Sequence, residues 1–217
     1  MKKIFKYLIV ILFFILSIYY TEQNTNNLNK KTNTKQVVNL MKSKDEFIRF
    51  TANDNKKVSI LLILNNNYNI NNILKIIDDN NIKITIYINK KFIEKNISFL
   101  KETNHEIELL IEDNNTFKIN KNYLESLISN ELNYCYSETE NNKVLNLCKK
   151  NKMHTIIPSK IIKNNLYKNI KNCINKSSVI AIYPNKYIEN ELDPTIKYLK
   201  KKGYKFYDLN TIFYDEI

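Results

Sequence analysis

From Val58 onward the chain alternates short apolar runs with segments of helical period, and this alternation constrains its fold more than any other feature. Ser59–Leu64 (SILLIL) is continuously apolar, as a strand covered on both faces requires. Ile70, Ile73, Leu74, Ile76 and Ile77 then recur at helical spacing, and Lys83–Ile88 (KITIYI) is β-branched and strand-like. Phe92, Ile93, Ile97 and Leu100 predict a helix over Phe92–Leu100, and Glu106–Ile111 predicts the next strand. Further helices are expected over Tyr123–Ile128, Val144–Lys150 and Tyr167–Ile174, with strands over His154–Ile157 and Val179–Tyr183. Leu192–Lys202 reads as a helix stopped by Gly203, before a last strand at Tyr204–Tyr207. Strands separated by helices of this length pair in parallel through right-handed crossovers, which predicts an α/β sheet or barrel. In such folds the site lies at the carboxyl ends of the strands.

Scarcities in the composition exclude several chemistries. There is one glycine, Gly203, so no glycine-rich phosphate loop can form. The two histidines, His105 and His154, and the three cysteines, Cys135, Cys148 and Cys173, show no zinc-ligand spacing. The cysteines read as small core residues, with one disulfide left open as an alternative outside the cell. The formal net charge is +12, from 34 Lys+Arg against 22 Asp+Glu, but Arg49 is the only arginine. Dispersed lysine without arginine reads as a solvated surface, with attraction to an anionic wall or membrane as the functional alternative. Nucleic acid is not expected as a partner.

The first residues suggest a location for the domain. Lys2, Lys3 and Lys6 precede an uncharged apolar run, Tyr7–Tyr20. A helix from Ile4 spans about 25 Å at 1.5 Å per residue, near the ~30 Å hydrocarbon core. The basic flank places this end in the cytoplasm, and an uncleaved anchor is favoured over a signal peptide because bulky Ile18, Tyr19 and Tyr20 occupy the exit. The expected organisation is a cytoplasmic stub and signal-anchor at 1–20, a polar Asn/Thr-rich tether at 21–45, and one domain at 46–217, single-pass and extracytoplasmic.

At the predicted strand ends stand Asn65-Asn66-Asn67, then Glu112, Asp113 and Asn114, then Pro158, then Tyr183 and Pro184. Glu112 and Asp113 read as a solvated turn. His105 (in NHEI) reads as a turn-capping or hydrogen-bonding residue, and His154 as structural or exposed. No serine or threonine has a histidine base or a nucleophile elbow around it. No catalytic constellation, metal site or cofactor is read from these residues.

Several segments, in order, resemble the polysaccharide deacetylase family, the NodB-homology carbohydrate esterases, and within it the membrane-anchored, sporulation-type members. FIRFTANDNKKVSI resembles the family's opening strand and turn, and NNILKIIDDNNIKITIYINKKFIEKNISFLKETNHEIE resembles its helix, strand, helix and "GHEIGNH" stretch. NNKVLNLCKKNKMHTII resembles the segment after "RPPYG", SSVIAIY resembles "GSIILLH", and TIKYLKKKGYKFYDLNTI resembles the closing helix and strand. The likeness covers about Phe47 to Ile212 and implies a deformed (β/α) barrel. It also implies that the chemistry is lost. Asn65 and Asn66 stand where the family has its paired aspartates, one the base and the other a metal ligand. Leu110 and Asn114 stand at the two metal histidines of "NHTxSH", and Tyr183 stands at the late catalytic histidine. Tyr134, Cys135, Tyr136, Ser137 and Glu138 replace "RPPYG". His105 matches the first histidine of "GHEI", which is not a ligand.

The expected function is therefore that of a catalytically inactive deacetylase-like domain at the cell envelope, binding or scaffolding cell-wall glycan or an envelope protein. Tyr134, Tyr136 and Tyr183 are the candidate sugar-stacking residues, against the plainer reading that they plug the vacated cleft. The alternative is an active N-deacetylase, or a hydrolase using Glu108, Glu112 or Asp113.

Overall fold

A computed structural model describes residues 46–49, 56–65, 68–174 and 178–214, all within one compact unit running Lys44–Glu216. The expected anchor and tether lie outside the described residues, as does Asn66. Among the described residues no helix is long and apolar enough to cross a membrane.

The strands are β1 (Phe47–Arg49), β2 (Lys57–Leu64), β3 (Thr85–Ile88), β4 (Glu106–Leu109), β5 (Tyr134–Tyr136), β6 (His154–Ile157), β7 (Lys160–Ile162), β8 (Ser178–Ile182) and β9 (Lys205–Phe206). Between them run α1 (Asn71–Asp79), α2 (Lys90–Lys95), α3 (Ile97–Glu102), α4 (Phe117–Ile128), α5 (Asn142–Lys150), α6 (Leu166–Cys173) and α7 (Lys186–Lys201), with α8 (Leu209–Tyr214) after β9. Every ladder is parallel, as the alternation requires. The ladders do not run on as one sheet, however. One sheet has the order β4-β3-β2-β8-β7, with β9 also on β2, and a second has the order β1-β6-β5.

Strand alternation sorts the side chains into two apolar clusters. Ile60, Leu62 and Leu64 of β2, Ile86 and Ile88 of β3, and Ile180 and Ile182 of β8 face the helices, meeting Ile73, Ile77, Ile188, Leu192 and Ile196. Leu61 and Ile63, Tyr87, and Val179 and Ala181 face the other way and meet Tyr134 and Ile156 of the second sheet, with Leu209 and Ile212 of α8. Both sheets therefore wrap a common inner cluster. β2 is buried along its whole length, which explains why its run is unbroken in apolar character.

Several elements differ from the sequence expectation for local reasons. The helix over Phe92–Leu100 is two, broken at Asn96, whose amide reaches back to the Phe92 carbonyl at 2.9 Å. The last long helix starts at Lys186, because the Asn185 side chain accepts from the Tyr187 and Ile188 N–H groups (3.0 and 3.1 Å) and the helix continues through Pro194. Its C-terminus follows expectation: Gly203 (φ +84°) allows Tyr204 N–H to reach the Leu199 carbonyl and Gly203 N–H the Lys200 carbonyl.

Two of the cysteines are not separate core residues: Cys135 on β5 and Cys148 on α5 form a disulfide across 13 residues of chain, and both are fully buried. Closing a loop of this length restricts the unfolded chain.

Two outcomes follow. Reduction with dithiothreitol lowers the unfolding free energy by about 3 kcal/mol, read from the urea midpoint, and an unchanged midpoint counts against the disulfide. Gly203→Ala costs about 1 kcal/mol. An added Cβ there comes no nearer than 3.8 Å to Lys56, so the loss is one of backbone conformation rather than collision.

Candidate functional site

The carboxyl ends of the strands are closed by side chains. Asn65, after β2, is exposed, and Asn114 lies exposed in the turn before α4. Leu110 follows β4, where its N–H donates to the Ile88 carbonyl at 2.8 Å, and its side chain packs on the inner cluster with Tyr136 and Tyr183. The Tyr136 and Tyr183 hydroxyls meet at 3.2 Å, and Tyr183 donates a short hydrogen bond to Glu138. Lys163 Nζ sits 4.8 Å from the Tyr183 ring centroid and 3.7 Å from Glu138. Burial pushes the Tyr136 phenol up to about 12, and burial followed by the bond to Glu138 pushes Tyr183 up as well. Both phenols stay protonated at neutral pH, so neither serves as a base.

Tyr134 does not belong with its neighbours. It is 2% exposed and lies inside the inner cluster, with ring centroids 5.5 Å from Phe213 and 6.2 Å from His154. A sugar has no face of Tyr134 to stack on. On β5, a three-residue strand, residues 134 and 136 share the inward side, but only Tyr136, nearer the carboxyl end, is half-buried rather than buried.

A deacetylase metal does not fit these positions. Leu110 has no donor atom, and Asn114 offers only a neutral amide on an exposed turn. Among the described residues no group of three His, Cys, Asp or Glu side chains could hold a metal ion. His105 instead pairs Nε2 with Asp78 at 3.2 Å, the hydrogen-bonding half of its expected role, and it is Thr103 that caps the turn, its Oγ1 accepting from the His105 backbone N–H at 3.2 Å. His154 is buried. Glu112 accepts from Asn89 Nδ2 at 3.0 Å, and Asp113 accepts from the Asn115 N–H at 3.0 Å. Both carboxylates are exposed, as a solvated turn requires.

Sequence reasoning missed the role of β4. Glu106 and Glu108, two apart on one strand, point to the same side, and that side is inward. Glu108 is 1% exposed. Its Oε1 accepts from the N–H groups of Asn133 (2.9 Å) and Tyr134 (3.1 Å), bridging β4 to β5 where the ladder is interrupted. Glu106 Oε2 accepts from Thr85 Oγ1 (2.7 Å) and from the first N–H groups of α8, at Leu209 (2.7 Å) and Asn210 (3.2 Å). Asp208 caps the next, Thr211, at 2.8 Å. Burial raises the Glu106 carboxyl to about 7. Burial, then the neighbouring Glu106, raises Glu108 strongly. The EIEL alternation is the only sequence signal of this pair, and it equally describes a half-exposed strand.

No family model and no curated protein matches the sequence. Solved structures match the fold. A family 4 carbohydrate esterase pseudoenzyme from Bacillus anthracis superposes with a TM-score of 0.65 at 16% identity, over 76% of this chain and 68% of that one. Its fold is that of the polysaccharide deacetylases. PdaA, a family 4 carbohydrate esterase of Bacillus subtilis, gives 0.66 at 14% identity, over 84% of this chain and 90% of that one. A further family 4 carbohydrate esterase from Bacillus anthracis gives 0.61 at 16% identity, over 81% and 90%. Likeness to the deacetylase fold at such identities speaks for architecture, and the side chains described above speak for this chain's own chemistry.

The buried glutamates set a pH dependence. Glu106 binds a proton in the folded state up to about pH 7 but releases it near 4.5 when unfolded. Its contribution to stability is therefore full below that lower value and is lost as pH rises through 7. The loss amounts to about 3 kcal/mol, and Glu108 adds to it in the same direction. Urea unfolding between pH 4.5 and 8 shows the decline in the natural chain, and Glu106→Gln flattens it. An equally steep decline in that variant would remove Glu106 as the cause.

Proposed function

We propose that the chain is a catalytically silent domain of the polysaccharide deacetylase fold, its two sheets forming the arcs of a deformed barrel. It is held at the cell envelope by an N-terminal anchor and acts there as a scaffold or binding unit toward cell-wall glycan or an envelope protein. One observation carries the reading: the places that resemble a deacetylase's metal histidine and late catalytic histidine hold Leu110, packed on the inner cluster, and Tyr183, bonded to Tyr136 and Glu138. An alkyl side chain cannot ligate a metal, and an amide at Asn65 cannot act as a general base. The neighbour from Bacillus anthracis described as a pseudoenzyme lends the reading support.

Scaffolding is favoured over a tyrosine clamp for sugar, because Tyr134 is withdrawn into the core and the Tyr136 and Tyr183 hydroxyls are already paired. Residual hydrolysis through Glu108 is disfavoured because that carboxyl bridges two strands in the interior. The Cys135–Cys148 disulfide suits an oxidising compartment, in keeping with a domain outside the cytoplasm.

The full chain, purified and offered acetylated chitooligosaccharides and peptidoglycan, is expected to release no acetate above background and to carry zinc well below one equivalent. Stoichiometric zinc together with turnover would overturn the proposal. A reporter that works only outside the cytoplasm, fused after Ile217, is expected to be active, and its silence would remove the envelope placement.

A further inference from the structure

The seam between β4 and β5 opens, at the amino-terminal end of the strands, into a recess of about 520 Å³. This is the end away from Leu110 and Tyr183. Four carboxyl groups line it, from Glu106, Glu108, Glu131 and Asp208, and Lys101 and His105 are the only basic side chains on its wall. On a chain of net charge +12, this is a local reversal of sign.

Two of these carboxyl groups have an oxygen left over. Glu108 Oε1 and Glu106 Oε2 are engaged as described, but Glu106 Oε1 and Glu108 Oε2 are buried with no hydrogen-bond partner among the described residues. Native proteins seldom leave buried acceptors in that condition. We propose that this recess is a binding site for a small organic cation bearing primary ammonium groups, received by the free oxygens of Glu106 and Glu108.

The chemistry favours an ammonium on three grounds. It carries three N–H donors and no acceptor, the complement of two unpaired carboxyl oxygens. Its charge offsets the mutual repulsion and the desolvation that raise the proton affinity of the two groups. A bare metal ion fits less well, since no group of three His, Cys, Asp or Glu side chains among the described residues could hold one. At the mouth, exposed Glu131 extends the negative potential, and Asn104, Asn130 and Asn210 supply amide groups for any hydroxyl or carbonyl on the ligand.

Binding is linked to protons. The charged groups that bear on the pair from other elements are Asp208 ahead of α8, which adds negative character at Glu106, and Lys121 of α4, which subtracts from it at Glu108, while the Tyr87 phenol of β3, pushed well up by burial and by both glutamates, is a neutral hydroxyl. Lys121 is itself held by Glu125. Burial lowers the proton affinity of His105, on β4's own lead-in, and Asp78 opposes that shift. Ammonium binding requires ionised carboxylates, so the ligand displaces protons and its affinity rises with pH.

Calorimetry on the full chain tests the site with putrescine (1,4-diaminobutane), with uncharged 1,4-butanediol, and with calcium chloride, at pH 6 and pH 8. Putrescine is expected to bind about tenfold more tightly at pH 8 than at pH 6, as a carboxyl titrating near 7 goes from mostly protonated to mostly ionised. Butanediol and calcium are expected to give no binding. Glu106→Gln weakens putrescine about tenfold at pH 8 and reduces the pH dependence to the part that Glu108 supplies. Glu131→Gln, an exposed change that leaves the seam intact, weakens it about twofold, and Glu112→Gln at the other end of the strands leaves it unchanged. The proposal fails if putrescine gives no binding at either pH, or if calcium or butanediol binds as well. It also fails if Glu131→Gln and Glu112→Gln act alike, a readout that stands even where Glu106→Gln does not fold.

Discussion

Two backbone N–H groups at the start of β5, those of Asn133 and Tyr134, find their acceptor not in a neighbouring strand but in the buried carboxyl of Glu108. At this point the parallel ladder is interrupted and two sheets meet around one inner cluster. A buried donor without a partner is costly, so the seam depends on a side chain that reaches across it. Glu106, one pleat away, does the same for the first turn of α8, whose Leu209 and Ile212 close the bottom of the cluster. Both functions need the carboxyls in the interior, and the interior in turn raises their proton affinity. The architecture and the pH dependence thus share one cause.

The opposite end of the strands is closed by different means. Leu110, Tyr136 and Tyr183 pack over the same cluster, and the phenols satisfy one another and Glu138 instead of presenting donors to a ligand. In a deacetylase fold this is where a metal and its histidines belong. Nothing in the inner cluster, the β4 bridge or the disulfide relies on those groups. The scaffold therefore stands without them, and two of the buried polar atoms that lack a partner among the described residues, Glu106 Oε1 and Glu108 Oε2, belong to the seam.

Much of the fold was legible because it rests on local rules. Continuous apolar runs became doubly covered parallel strands, Gly203 ended its helix in the left-handed conformation, and His105 took a hydrogen-bonding place beside Asp78. The misses share a different origin. β5 is too short for any period to register, and its cysteine pairs with one on the following helix only because the fold brings them within bonding distance. The last long helix was expected from Leu192, yet α7 starts at Lys186 because Asn185 caps it there. The asparagines, leucine and tyrosine could be placed at strand ends by their order in the chain, whereas the burial of Tyr134 could not, since a tyrosine's depth depends on what packs above it.

By itself the sequence determined the succession of strands and helices and their parallel pairing, because each depends on residue type and spacing along the chain. Tertiary structure alone decided which way the alternation in Glu106-Ile107-Glu108-Leu109 faces. In an isolated strand the glutamates would take the wet side. Here Ile107 and Leu109 meet the helix layer, both faces are covered, and the glutamates are drawn inside by backbone donors that no neighbouring strand satisfies.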